Sequence, residues 1–581
     1  MRTGPDVVER AADAVPAAAG PARRGPSRRV ALAILNLVAV LLALHFLNGQ
    51  LGEWGGDNVR YLLLAESLGS GRGFVDPFLP GAPFHTVYPP VLPALLAPLA
   101  AAGAPLIVLN GFVALLAIAG LNLAYFFFAP AYGTLTSLLI VLPTACCGAF
   151  LDPALSVMSD GPYLLFSMAA LLAVRRAFRG EARRAALLVL AGLLVALAIL
   201  TRIAGVVFIP AIAAYALLGV LPGLPLRQRF ERLAVVGLVA VALAGSWPLV
   251  VLSQDRVGQR SYLWEFLNLA TSKERHEARG GGVGKPQPSL TTRPLYNVLD
   301  LGGRLASTPM PRAAERLGPG FERAMGVAFV AICAASAALV LLGIVLGLVR
   351  RREVQDFYVL FYGLLLLMWI GGGFRLLMPI IPLLLAYAYD GVVAAGRLLP
   401  RRGAQGADRT PRLPRAGNAV LALTIAANLA VTLSFPLIND RLHGRYDPWW
   451  RGFLEAGCRL AQRLGPQDAV ISSPDGVLFW LADIPSVPLP RHRLPEDTLQ
   501  EILNSGATYL VTTPIQEQKY GHSILRAIAA YPDRFRSVER IGEVEVYEIV
   551  RDPNAAPPSG PADADRRVSR PISPRCAAVL R

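Results

Sequence analysis

Two aspartates, three arginines and a histidine stand where the chain enters or leaves long apolar runs, and their types and spacing allow chemistry. Asp57 opens the stretch Asp57-Asn58-Val59-Arg60-Tyr61 directly after the first apolar run. The stretch reads as a short helix closed by Gly69 and Gly71, and Tyr88-Pro89-Pro90 then leads into the next apolar run. An Asp in this place can cap the helix by accepting backbone N–H bonds. Held at a membrane surface, it can also take a proton from a hydroxyl group as a general base. Asp160 falls two or three residues inside the end of a later run, where a carboxylate is costly without a partner or a water-filled cavity. It reads as a hydrogen-bonding partner between helices, or as a group that positions an acceptor or binds a divalent metal. Arg202 and Arg375 lie at helix ends and Arg60 lies on the Asp57 helix. A guanidinium can grip a phosphate through two bonds, and snorkelling is the plainer account of a terminal arginine. His85, just before the Tyr-Pro-Pro step, reads as a solvated loop histidine or as a contact to metal or substrate.

Membrane spans have to position these groups. The 581 residues are 54% hydrophobic and only 17% charged, a balance expected of a multi-spanning membrane protein. The net charge of +16 would suggest nucleic acid in a soluble chain. Here the arginines gather in short segments between apolar runs, so the nucleic-acid reading is rejected. A helix needs about 20 mainly apolar residues to cross a bilayer. Eleven such runs occur, near 30–48, 105–129, 131–151, 157–178, 185–201, 203–222, 233–253, 324–349, 355–371, 374–396 and 417–438. The arginine clusters at 23–29, 175–184, 227–232, 350–352 and 397–415 all fall on one side if the N-terminus is cytoplasmic. The C-terminal part is then outside.

The expected organisation is a disordered N-terminus over 1–29, a transmembrane domain over 30–438 with outer loops at 49–89 and 254–323, an extracytoplasmic domain over 440–551, and a disordered tail over 552–581. Strands are expected at Ala469–Ser473, Ala507–Thr512, Phe535–Arg540 and Val544–Val550, alternating with short helices, which suggests a small α/β domain. The five cysteines show no CxxC or Cys/His spacing, so neither a disulfide nor a structural zinc is expected.

The order of the motifs resembles the GT-C glycosyltransferases, which include protein O-mannosyltransferases and the lipid A aminoarabinose transferase. Their first outer loop has the form D-x-x-x-Y-x-x-x-A-x-x-L-x-x-G, matched by Asp57, Tyr61, Ala65, Leu68 and Gly71. Tyr88-Pro89-Pro90 matches their return to the membrane. Ser159-Asp160-Gly161-Pro162, Thr201-Arg202-Ile203-Ala204-Gly205 and Arg375-Leu376-Leu377-Met378-Pro379 match three later steps. The resemblance covers roughly residues 30–400. One departure is Asn58, where many members carry Glu.

The expected fold is a polytopic α-helical, GT-C-like membrane protein of about eleven transmembrane helices with a small C-terminal extracytoplasmic α/β domain. The resemblance implies an enzyme that moves a sugar from a polyprenyl-phosphate donor to a lipid, polysaccharide or protein acceptor, with inversion. Asp57 would be the base, while Arg375, Arg202 or Arg60 would bind the lipid phosphate. Asp160 and His85 would position the acceptor or hold a divalent metal, an open point because the family varies in metal use. The expected setting is a bacterial cytoplasmic membrane, with membrane lipids and no nucleic acid as partners. A transporter or flippase of a lipid-linked glycan is the alternative, and a non-catalytic scaffold is a further one. Gly280 to Lys285 mimics a phosphate-binding loop, but Arg279 and Pro286 break the pattern.

Overall fold

The computed structural model describes residues 26–52, 56–179, 185–253, 319–368, 374–398, 412–434, 436–465, 468–490, 494–514, 523–552 and 573–580. The expectations for 1–25, most of the second loop, the Gly280 segment and most of the tail lie outside the described residues.

Six described helical segments are long and apolar enough to cross a membrane: Arg28–Phe46, Leu106–Ala145, Leu226–Ser253, Ala334–Arg351, Arg375–Arg397 and Pro414–Ser434. Shorter apolar helices such as Ala185–Thr201 and Val354–Met368 pack among them. The pattern of Arg28–Phe46 explains its placement. Ala31, Leu35, Ala39, Leu42 and Phe46 recur at helical spacing and are buried against Ala114, Ala117 and Leu121. The other face leaves Leu37, Leu41 and Leu44 between 56% and 69% exposed. A leucine-covered exterior around a core of small residues suits lipid, where close helix approach replaces the hydrophobic effect between helices. Asn36 and Asn122 pair side chain to side chain at 2.9 Å and tie these helices together.

Leu106–Ala145 is not one straight rod. Gly133, at φ 75° and ψ 173°, breaks the helix. Asn110 and Cys146 lie at one end of the bundle with Asn48 and Thr432, while Tyr132 lies at the other with Asp390, so the chain turns back at the glycine.

Beyond the apolar helices, five strands form one sheet in the order β2-β1-β3-β5-β4: β1 Val470–Ile471, β2 Ser486–Val487, β3 Tyr509–Thr512, β4 Phe535–Ile541 and β5 Val544–Ile549. β1 is parallel to β2 and β3, and β5 is antiparallel to β3 and β4. Alternation in β3 sends Tyr509 and Val511 to one core and Leu510 to another, so both faces of the sheet are covered. The first of these cores is shared with Leu62, Leu63, Phe78 and Tyr88 of the first loop. The Trp450 indole N–H donates to the Leu51 carbonyl at 3.0 Å across the same contact.

Two expectations are corrected here. Cys458 and Cys576 form a disulfide across 118 residues. Spacing rules detect cysteines that are neighbours in sequence, and this pair meets only through tertiary folding. The stretch Ser573–Leu580, expected within a disordered tail, contains the helix Pro574–Val579 packed on Pro448–Ala461. Arg575 secures it, donating to Glu66 and to the Trp480 carbonyl, each at 2.6 Å.

Closing so long a loop removes much of the unfolded chain's freedom. Replacing Cys458 and Cys576 together by Ala is expected to lower stability by about 2–4 kcal/mol. The check is the thermal transition of the purified protein in detergent.

Candidate active site

The Asp57 helix, Asp57–Gly69, begins at Gly56 in the left-handed region, at φ 94°. A Cβ on Gly56 would also stand 2.9 Å from the Pro474 Cβ, so no other residue fits this turn. Asp57 is therefore the first helical residue and not the cap, and no side chain caps this N-terminus. Its carboxylate instead accepts from Arg375 Nη1 at 2.9 Å through Oδ2 and from the Tyr88 hydroxyl at 2.6 Å through Oδ1.

Arg375 reaches this point from the 3₁₀ turn Phe374–Ile380. Its Nε donates to Asp160 Oδ2 at 3.0 Å while Nη1 holds Asp57, so one planar guanidinium joins two carboxylates distant in sequence. Asp160 opens the helix Asp160–Arg179, and Arg202 donates to its other oxygen. Arg202 precedes the 3₁₀ turn Ile203–Val207, which folds tightly back on the preceding helix. A Cβ on Gly205 would lie 2.7 Å from the Ile199 nitrogen, which explains the glycine of that motif.

Two carboxylates and two guanidiniums thus form one ion-pair chain whose charges cancel. Access is graded along it. The side chains of Asp57 and Arg375 are each 26% exposed, whereas that of Asp160 is fully buried. Asp57 is the solvent-reachable carboxylate of the chain, and Asp160 is the buried one.

Asp160 takes the first of its expected roles, that of a hydrogen-bonding partner between helices. Each of its oxygens is engaged by an arginine. His85 is not the solvated loop histidine that was expected. It is completely buried, with Nδ1 2.8 Å from Asp76 Oδ1 and Nε2 accepting the Tyr88 N–H at 2.7 Å. A backbone N–H can only donate, so the ring proton sits on Nδ1 and is given to Asp76. With both nitrogens engaged, His85 is shut off from solvent and fixes the turn that carries Tyr88. The His85 and Tyr88 rings stack with centroids 5.4 Å apart, and Tyr61 packs on Tyr88 at 4.8 Å. Burial pushes the Tyr61 phenol above its ordinary range, which keeps it neutral beside these charges.

Arg60 stands apart from the cluster. It pairs with Asp475, lies over the Phe78 ring at 5.5 Å, and links the Asp57 helix to the sheet-bearing region. Among the described residues, no group of three or more His, Cys, Asp or Glu gathers to hold a metal. A cleft of about 840 Å³ lies against the Asp57 helix at Leu62 and Glu66, walled by Trp450, Trp480 and Arg451, and contains none of the four charged groups.

Sequence reasoning overlooked Tyr88 as a partner of Asp57 and Asp475 as a partner of Arg60. Tyr88 was visible as part of a motif, but nothing in the sequence aims its hydroxyl at Asp57. Removing one member of a buried ion pair strands its partners. Asp160→Asn is therefore expected to cost about 3–5 kcal/mol in thermal unfolding of the purified protein, with Asp57→Asn costing much less.

No family model matches the chain, and no curated relative does. Solved structures match it. Archaeal oligosaccharyltransferase AglB from Archaeoglobus fulgidus, in complex with an inhibitory peptide and a dolichol-phosphate, matches with a TM-score of 0.51 at 14% identity. That likeness covers 92% of this chain and 75% of AglB. ArnT from Cupriavidus metallidurans in the apo state matches with a TM-score of 0.51 at 14% identity, over 90% of this chain and 99% of its own. At such identities the likeness is one of fold: the chain is a polytopic helical membrane protein with the fold of the GT-C membrane glycosyltransferases.

Proposed function

We propose that this chain is a membrane glycosyltransferase that moves a sugar from a polyprenyl-phosphate donor to an extracytoplasmic acceptor, with Asp57 as the general base. The observation that carries the reading is the sharing of Arg375 between a solvent-reachable carboxylate and a buried one. AglB, which shares the fold, is described in complex with a dolichol-phosphate, and this supports a lipid-phosphate donor here.

The mechanism follows from that sharing. The donor's phosphate competes with Asp57 for Arg375, while Asp160 keeps the guanidinium in place. Arrival of the donor draws Arg375 Nη1 toward the phosphate and frees Asp57 Oδ2 for the acceptor hydroxyl. Asp57 takes the hydroxyl proton as the acceptor oxygen attacks the anomeric carbon from the side opposite the phosphate. The new bond forms with inversion and the sugar–phosphate oxygen bond breaks. The electron pair leaves on polyprenyl phosphate, and Arg375, with Arg202 behind it, stabilises that anion. Tyr88 donates to Asp57 Oδ1 throughout and holds the carboxylate's orientation.

The disulfide between Cys458 and Cys576 supports an outward position for this end of the bundle, because such bonds persist in oxidising compartments. The arginine clusters of the sequence support the same orientation, with the N-terminus cytoplasmic. The contacts of Trp450 with Leu51 and of Arg60 with Asp475 support a bracing role for the sheet-bearing region.

The test is transfer of radiolabelled sugar from polyprenyl-phosphate donors to membrane acceptors, with equal amounts of folded protein. Asp57→Asn is expected to lower transfer by about 10²–10⁴-fold, the usual worth of a general base. Equal transfer by the variant would show that Asp57 is not the base. Arg375→Lys replaces a two-armed guanidinium by a single ammonium that cannot hold both Asp160 and a phosphate. It is expected to lower transfer by roughly tenfold or more, the loss of one charge-assisted contact, with a raised KM for the donor.

A further inference from the structure

The apolar segment Leu226–Ser253 ends in the helix Ser246–Ser253, whose second residue is Trp247. Leu249, Val250 and Leu252 of this helix are between 40% and 68% exposed, a face suited to lipid. Trp247 meets the first loop. Its ring touches Phe74 edge-on with centroids 5.2 Å apart and tilts against Phe84 at 5.9 Å. A tryptophan at a membrane border commonly anchors among headgroups. This one packs on two rings of the loop that carries Tyr88.

Those two rings belong to a small closed turn of chain. Val75 bridges Phe84 in antiparallel pairing. The Asp76 N–H donates to the Pro83 carbonyl and the His85 N–H to the Phe74 carbonyl, each at 2.9 Å. Phe74 is thereby held beside His85, and its ring meets the imidazole edge-on at 5.4 Å. The imidazole bonds Asp76 and the Tyr88 N–H, and the Tyr88 ring stacks on it. The Tyr88 hydroxyl then reaches Asp57. A continuous series of ring contacts and hydrogen bonds therefore runs from Trp247 through Phe74, His85 and Tyr88 to the Asp57 carboxylate. Phe74, His85 and Tyr88 are all buried, and rings packed at interior density do not shift one at a time.

We propose that Trp247 is a positioning residue for the transfer reaction, which sets Phe74 and His85 in place and through them aims the Tyr88 hydroxyl at Asp57. The inference rests on the reading of Asp57 as the base. Trp247 acts on the orientation of that carboxylate and on no reacting atom. A misplacement of about 1 Å can cost about 10²-fold in rate. Donor binding at Arg375 does not pass through these rings, so loss of the Trp247 ring lowers kcat and leaves the donor KM unchanged.

Sugar transfer by the full-length protein in detergent tests this, with equal amounts of folded protein. Trp247→Leu keeps an apolar side chain without the ring and is expected to lower kcat about tenfold, with the donor KM unchanged. Trp247→Phe is expected to restore most of the rate. Tyr88→Phe removes the hydroxyl at the end of the series, and adding Trp247→Leu to it is expected to cost nothing further, since both act on one hydrogen bond. Losses that multiply in the double variant would overturn the proposal, as would an unchanged kcat in Trp247→Leu. Amide hydrogen exchange gives a reading without turnover. Exchange over residues 74–88 is expected to be about fivefold faster in Trp247→Leu, the worth of roughly one aromatic contact, and unchanged in Leu249→Ala. Equal exchange in Trp247→Leu and the unaltered protein also sinks the proposal. Asp57→Asn in the same assay separates the two readings. If it transfers normally, the base assignment fails and takes this proposal with it. If it is inactive while Trp247→Leu is unaffected, the role of Trp247 alone fails.

Discussion

The guanidinium of Arg375, held between Asp57 and Asp160, is the contact on which the rest of the site depends. A fully buried Asp160 at the end of an apolar bundle is tolerable only because two arginines reach it. Those arginines come from turns that break the helical rhythm, a 3₁₀ segment after Arg202 and another containing Arg375. The bundle must therefore bring three separate helix ends to one point, and the first loop must close over them to deliver Asp57. The close packing of Gly205 on Ile199 and the tight turn at Gly56 are local consequences of that demand.

Around this centre, neutral groups set direction. The Asp76–His85 pair fixes the backbone of Tyr88, and the Tyr88 hydroxyl fixes Asp57. The sheet-bearing region acts from the other side, through Pro474 against Gly56 and Asp475 against Arg60. The helix Pro574–Val579 is tied to the same region by the disulfide and by the bond from Arg575 to the Trp480 carbonyl. The start of the Asp57 helix is thus clamped by residues more than 400 positions away. At the far end of the bundle Arg351 repeats the bridging geometry with Asp356 and Asp390.

Much of this was legible in local pattern. The strands β1, β3 and β5 lie within the segments expected from alternation, and β4 differs from its segment by one residue at its end. β2 was not foreseen, because two residues, Ser486 and Val487, carry no alternation to read. The helices Ala185–Thr201 and Val354–Met368 begin within a residue of their apolar runs, since lipid-facing stretches announce themselves by length and composition. Asp57, Asp160, Arg202 and Arg375 were each singled out, because a charge at the end of an apolar run is conspicuous.

The sequence by itself determined which residues are apolar enough to enter a membrane and which charges stand at its borders, because those properties belong to single residues and their near neighbours. Only the tertiary structure decided who pairs with whom. It set Asp57 and Asp160 on the two arms of one guanidinium and closed His85 between Asp76 and Tyr88. It also joined Cys458 to Cys576 and set Arg60 on Asp475. The reason is physical. A carboxylate or guanidinium has no preferred partner until packing removes water from around it, and that packing is a property of helices distant in sequence.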